Sequence, residues 1–187
     1  TGPGAADISL SGAGGVALNA ALVAGGSGYL SISGGGATQS TAFTAPGGLR
    51  LSGTGSFALT QANAAATLAA AVTGPVSLSV NGPLDLGSVA GTNGVSITGA
   101  NALTLRAAGT VSQTQSASVP DGTVDIATLH ATGANIELGA LANDAAVLSL
   151  RSLDAGGTLA RAGTLAWLDA SGFTLSALSS TAWATIQ

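Results

Sequence analysis

The chain has 187 residues, of which 6% are charged, against roughly 25% in an ordinary soluble domain. Its net charge is −4 with no Cys, and its basic residues are four dispersed arginines (Arg50, Arg106, Arg151 and Arg161). Four dispersed arginines cannot supply the clustered positive charge that nucleic-acid binding needs, so we expect no nucleic-acid partner. The missing Cys excludes a disulfide framework, a thiolate zinc site and thiol chemistry.

The apolar residues are numerous but small. The hydrophobic fraction is 46% and the mean hydropathy is +0.52, which argues against charge-driven disorder. Ala is the commonest residue type, and aromatic residues make up only 3% of the chain. Such residues suit a thin core built from many similar layers better than a wide globular centre. No stretch approaches the roughly 18 apolar residues that a membrane span needs, so we expect none.

A short phrase of two large aliphatic residues separated by one small or polar residue recurs along the chain. Alternation with a period of two predicts a strand that buries one face. Gly, Asn and Asp residues between the phrases indicate turns. In chain order the phrases lie at 8–10, 30–32, 49–51, 76–78, 95–97, 103–105, 124–126, 136–138, 148–150 and 173–175.

The spacing of these phrases predicts the fold class. It is 22 residues from Leu10 to Ile32 and 19 from Ile32 to Leu51, and we also read Leu78 to Ile97 as a repeat of 19. A period near 20 indicates a solenoid. We therefore predict an all-β, right-handed parallel β-helix of about nine coils, where a coil is one full turn of the solenoid. The alternative is an antiparallel β-sandwich, which also has short strands and frequent turns.

Two segments depart from the repeat within what we take as one β-helix domain over residues 1–187. Residues 61–72 are rich in Ala, and are either a short helical insertion or a coil wall with Ala facing inward. Residues 113–120 are rich in Ser and Gln and predict a protruding loop.

Three segments resemble the degenerate repeats of filamentous-haemagglutinin-type bacterial exoproteins and related β-helix adhesins. They run from Val95 to Gly109, from Gly133 to Leu141 and from Leu148 to Gly157. The resemblance covers most of residues 74–178 and rests on repeat texture. It implies secretion across the outer membrane and a role in adhesion or surface structure, in a longer protein or a small relative.

Few side chains are candidates for catalysis. His130 is the single histidine, and its simplest interpretation is a surface residue on a strand edge. Asp121, Asp125, Glu137 and Asp144 form the densest acidic group, with Arg106 and Arg151 as possible neighbours. Stacked coils could align two acids as in polysaccharide-degrading β-helix enzymes, but isolated solvated acids are commoner. We predict no catalytic residues, no metal site and no cofactor; the binding residues stay unknown.

The coil ends suggest a second property. A solenoid exposes unpaired backbone at both ends, and neither terminal segment carries the charges of a typical cap. Trp167 and Trp183, near the end of the chain, are expected in a capping coil or against the next unit.

These inferences lead to one functional expectation and two alternatives. We expect an extracellular structural or adhesive stalk segment of a secreted or surface-anchored bacterial protein, with a surface receptor or glycan as partner. End-to-end stacking into a filament or surface layer is the first alternative. A carbohydrate-active β-helix enzyme is the second.

Overall fold

The computed structural model describes residues 4–131 and 133–187. These residues form β-strands and connecting turns, with no helix among them. The strands are β1 (Ile8–Gly12), β2 (Val16–Leu18), β3 (Leu22–Val23), β4 (Leu30–Gly34), β5 (Ala37–Gln39), β6 (Phe43–Ala45), β7 (Leu49–Gly53), β8 (Phe57–Ala65), β9 (Thr67–Val72), β10 (Val76–Val80), β11 (Leu84–Leu86), β12 (Ser88–Val89), β13 (Thr92–Asn93), β14 (Val95–Ile97), β15 (Ala102–Ala107), β16 (Val111–Gln113), β17 (Ala117–Leu129), β18 (Ile136–Leu153), β19 (Leu165–Asp169), β20 (Thr174–Ser179) and β21 (Ala184–Ile186).

The strands stack in parallel as a right-handed β-helix of about 8 coils, as predicted. The first wall starts with β1, β4, β7 and β9 and continues through β11 with β14, β16 with the start of β17, the start of β18, β19 and β21. The second wall contains β2, β5, β8, β10, β15, the end of β17, the end of β18 and β20. The antiparallel-sandwich alternative is wrong, because these wall pairings are all parallel.

Inward-facing aliphatic side chains form columns between the walls. In the second wall Leu59, Leu78, Leu105 and Ile126 are in register, and each is at most 1% exposed. Fully burying one such side chain contributes about 1.5–3 kcal/mol. Because each coil adds an equivalent layer, the sequence needs no large aromatic centre.

The register corrects one spacing that the sequence suggested. Leu10, Ile32 and Leu51 are aligned in the first wall at the expected intervals. Leu78 and Ile97, however, lie in different walls: Leu78 aligns with Leu105, and Ile97 pairs with β9. The 19-residue interval between them is therefore not one coil. Similar phrases in both walls produced the coincidence.

The two segments singled out in the sequence are mostly strand. Residues 61–65 belong to β8 and residues 67–72 form β9, whose Ala69 and Ala70 are completely buried. The helical alternative for this segment is therefore wrong, and the coil-wall alternative is correct. In the second segment only residues 114–116 lie between strands, because Gln113 ends β16 and Ala117 begins β17. The protrusion is shorter than predicted.

An insertion occurs where none was predicted, between β11 and β14 of the first wall. There β12 and β13 form an antiparallel hairpin with Ala90 and Gly91 at its tip, both at positive φ. Val89 is buried over Gly48, and Arg50 Nε donates to Thr92 Oγ1 at 2.8 Å. The hairpin therefore lies against the outside of the first wall.

Candidate functional site

Two salt bridges that share one carboxylate lie on the outer face of the second wall. Arg106 in β15 and Arg151 in β18 both reach Asp125 in β17, between them. Arg106 Nη2 donates to Asp125 Oδ2 at 2.6 Å, and Arg151 Nη2 donates to Oδ1 at 2.7 Å. Ser149 Oγ donates to Oδ1 at 3.0 Å. We call Arg106, Asp125 and Arg151 the arginine bracket.

The strand register explains how the bracket forms. Arg106, Ala127 and Arg151 occupy equivalent positions on three successive coils. Two arginines on adjacent coils would be about 4.8 Å apart and would repel each other. The small Ala127 separates them and is completely buried. The carboxylate of Asp125 then accepts hydrogen bonds from both sides.

The bracket holds Asp125 in its ionised form. Burial raises the pKa of this carboxyl, but the hydrogen bonds from Arg106 and Arg151 lower it, together with the charge of Arg106 and the bond from Ser149. The net result is a pKa below the usual range of an aspartate. Near neutral pH, Asp125 is therefore ionised and carries no proton that it could donate as a general acid.

The other acids of the predicted cluster do not join Asp125. Asp121 is exposed in the same strand. Glu137 Oε1 accepts a bond from Asn135 Nδ2 at 2.8 Å, and Asp144 Oδ1 accepts one from Ser171 Oγ at 2.7 Å. Within residues 4–131 and 133–187, no three His, Cys, Asp or Glu side chains group to hold a metal ion.

His130 is buried, so its interpretation as a surface residue is wrong. Its side chain is 6% exposed. The Ala134 N–H donates to its Nε2 at 3.2 Å, and Ser152 Oγ lies 2.8 Å from the same nitrogen. Burial lowers the pKa of His130, and the positive charge of Arg161 lowers it further. A ring that accepts a bond at Nε2 is neutral, with its proton on Nδ1.

The two tryptophans have opposite environments. Trp167 in β19 is 1% exposed and donates from Nε1 to Asp169 Oδ2 at 2.9 Å. Trp183, which precedes β21, is 85% exposed. Leu175 and Leu178 of β20 are also exposed, although Leu178 continues the buried column above Leu150. The last described coil thus presents an apolar surface.

Two buried asparagines, each bonded to a glutamine, hold outward bulges of the walls, and the sequence analysis missed them. Asn63 bonds reciprocally with Gln39 at 2.9 Å and donates to the Leu59 carbonyl at 3.0 Å. Asn143 Nδ2 likewise donates to Gln113 Oε1 at 3.0 Å and to the Leu138 carbonyl. In each case an Asn four or five residues after an inward Leu closes the bulge. The Gln–Asn separations, 24 and 30 residues, differ, so no fixed spacing in the sequence marked these pairs.

Comparisons with known proteins found no match for this chain among family models, curated proteins or solved structures. None of the described residues belongs to a helix that is long and apolar enough to cross a membrane.

Proposed function

We propose that this chain is a structural or adhesive stalk segment, carried on the outside of a bacterial cell by a secreted or surface-anchored protein. One observation carries the proposal: the parallel ladders continue through about 8 coils. At about 4.8 Å a coil, such a stack is a rod of roughly 40 Å. Backbone hydrogen bonds along the rod axis and buried aliphatic columns resist bending, which suits a spacer.

The outer surface supports the same role. Hydroxyl side chains occupy half-buried outward positions on neighbouring coils, such as Ser33 and Ser52 of the first wall and Ser77 and Thr104 of the second. Hydroxyl groups solvate the rod with few charges and leave its faces available to a surface receptor or glycan. The repeat resemblance to filamentous-haemagglutinin-type exoproteins supports an extracellular location.

Labelling of intact cells tests the proposal. Antibodies raised against the chain should bind the surface of intact producing bacteria, and immunogold electron microscopy should place the label outside the envelope. An antibody against a cytoplasmic protein serves as the control and should label only permeabilised cells. Label that appears only after permeabilisation would contradict the proposal.

The last described coil favours a second candidate, a filament made from copies of this chain. β20 and β21 pair on one side only, and Leu175, Leu178 and Trp183 are exposed beside them. At the opposite end β3 also pairs on one side only among the described residues, and Val23 is 67% exposed. Open edges with apolar side chains are templates for pairing with another chain. The occupant in this candidate is the opposite end of a second copy.

A further inference from the structure

A groove beside the arginine bracket runs along the axis of the rod. It has a volume of about 360 Å³, within the range of small-molecule sites. The groove lies where successive strands of the second wall end. Its lining includes Thr60, Ser79, Asn81 and Arg106, and its other five residues, among them Leu129 and Ala155, are apolar. These residues come from β8, β10, β15, β17 and β18 or their ends, so the groove crosses four coil intervals, or about 19 Å. Its shape suits a linear ligand.

Arg106 brings a hydrogen-bonding fork to this groove. Its Nη1 donates to the carbonyls of Leu105 and Asp125, and its Nη2 donates to the Asp125 carboxylate. A guanidinium carries five N–H groups. Among the described residues, no hydrogen bond uses the Nε–H of Arg106. Two donors of Arg106 therefore remain free, the Nε–H and one Nη2–H. Those two donors share an edge of the planar guanidinium, and this edge matches the two oxygens of a carboxylate.

The charge around the groove favours an anion. The bracket contains two guanidinium groups and one carboxylate, so one positive charge is uncompensated. The nearest other carboxylate in the sequence is Asp154, which precedes the lining residue Ala155. It accepts hydrogen bonds from the N–H groups of Thr158 and Leu159 in its own turn and interacts with the charge of Arg161. Arg106 is 26% exposed along its side chain. It is therefore accessible to a ligand and only partly screened by water.

The remaining lining favours a saccharide over a peptide. Peptides commonly bind a sheet by adding a strand to its edge, but this groove lies where β10 and β15 are each paired on both sides. Recognition therefore depends on side chains. Thr60, Ser79 and Asn81 offer short hydroxyl and amide groups, which can both donate and accept hydrogen bonds. Sugar hydroxyls need partners of this kind.

We propose that this groove binds a linear acidic saccharide, with the free edge of Arg106 holding a uronate carboxylate. The proposal rests on the adhesive form of the proposed function, for which it names the class of ligand. The hydroxyl and amide groups of Thr60, Ser79 and Asn81 bond the sugar hydroxyls. The ligand lies parallel to the rod axis.

Isothermal titration calorimetry with defined probes tests the proposal. Tetragalacturonate should bind the whole chain at least tenfold more tightly than the neutral galactose tetramer. Inorganic phosphate and a tetraglutamate peptide present negative charge without the sugar, and both should bind at least tenfold more weakly than tetragalacturonate. Equal binding of the neutral tetramer, of phosphate or of the peptide would overturn the proposal.

Substitutions at the bracket sharpen the test. Arg106→Gln should weaken tetragalacturonate binding at least tenfold, and Arg106→Lys should give an intermediate loss, because charge is kept and the fork is lost. Asp125→Asn removes the competing carboxylate and should tighten binding several-fold. Arg50→Gln, which removes an arginine of the first wall that bonds to Thr92 and Ser31, is the matched control and should leave tetragalacturonate binding unchanged.

Circular dichroism and thermal melting establish that each variant is folded before titration. If folded Arg106→Gln binds tetragalacturonate as tightly as the unsubstituted chain, the proposal is wrong. If Arg106→Gln does not fold, the Arg106→Lys and Asp125→Asn results decide, since a purely structural bracket predicts no tightening for Asp125→Asn. Surface labelling of intact cells is independent of this titration, so failure of the groove leaves the stalk proposal standing.

Discussion

At the scale of the residue, Asp125 links three coils of the second wall through two guanidinium groups. Asp125→Asn should destabilise the fold at pH 7 by about 1–3 kcal/mol, because it leaves Arg106 and Arg151 facing each other without a carboxylate. Urea denaturation measures this loss. Asp121→Asn, an exposed acid in the same strand, is the control and should stay within about 0.5 kcal/mol of the unsubstituted chain.

The same carboxylate gives this loss a defined pH dependence. Because the pKa of Asp125 is lowered in the folded state, its stabilisation is complete above the unfolded value near 3.8 and is lost as the pH falls through the folded value. The difference between Asp125→Asn and the unsubstituted chain should therefore narrow below about pH 4. A difference that stays constant down to pH 2 would contradict the bracket.

His130 should give stability a second pH dependence, at higher pH. Its pKa is lowered from the ordinary 6.5 in the folded state, so the unfolded chain takes up the proton first as the pH falls. Stability should be highest above pH 6.5 and should decrease below it, by at most about 1.4 kcal/mol per pH unit. Denaturation midpoints measured from pH 5 to 8 test this. His130→Gln should lack the slope, and a slope that persists in this variant would assign it to other groups.

At the scale of the element, the buried amides close the wall bulges. Asn63→Ala removes bonds to Gln39 and to the Leu59 carbonyl, and it also leaves the Phe43 N–H without its acceptor. We expect a loss of about 2–4 kcal/mol, because several buried polar groups lose their partners together. Chemical denaturation measures it, with Asn19→Ala as the control, since Asn19 is exposed. Equal stability of the two variants would contradict this role.

Glycines at the strand ends permit close packing between coils. Gly12, Gly34 and Gly53 are in register at the end of β1, β4 and β7. Gly34 has a φ of +113°, and a Cβ there would collide with the Gly12 carbonyl oxygen. Gly34→Ala should cost about 2–4 kcal/mol in thermal or urea unfolding. Gly82→Ala is the control, because no atom lies within 4 Å of its added Cβ. A Gly34→Ala variant as stable as the control would show that the backbones of neighbouring coils can move apart to admit the added Cβ at no cost in stability.

The sequence predicted the repeating elements well and their pairing only in part. Alternating aliphatic residues mark strands because each strand buries one face, and that signal is local. Which strands become neighbours depends on the length of every intervening turn. The hairpin at residues 87–94 lengthens one coil, so Leu78 and Ile97 fall in different walls despite their regular spacing.

The candidate site was less predictable, because it depends on pairing between coils. Arg106 and Asp125 are 19 residues apart, close to one coil, so their approach was readable in principle. Burial of His130 had no local signal, since it results from packing against Ala134 and Ser152. Side chains in a solenoid acquire partners about one coil away in the sequence. A single misjudged coil length therefore misplaces the partners of every residue that follows.

At the scale of the whole molecule, the two described ends present different surfaces, and a filament that grows without limit must join one end of each copy to the opposite end of the next. Such a contact uses unlike surfaces and can continue indefinitely, unlike a symmetric dimer. Trp183 lies at one end and Val23 at the other, and both are mostly exposed. A Glu at either position puts a charge into the contact with little effect on the fold.

This asymmetry gives the filament candidate a sharp test. Trp183→Glu and Val23→Glu should each abolish chain growth when studied alone, as measured by sedimentation velocity and negative-stain microscopy. An equimolar mixture should form dimers and nothing larger, because one intact end of each variant remains to meet the other. Asp121→Asn, at an exposed position of β17 far from both ends of the stack, should assemble as the unsubstituted chain does. Growth of either pure variant, or no dimer in the mixture, would show that these ends do not join copies of the chain.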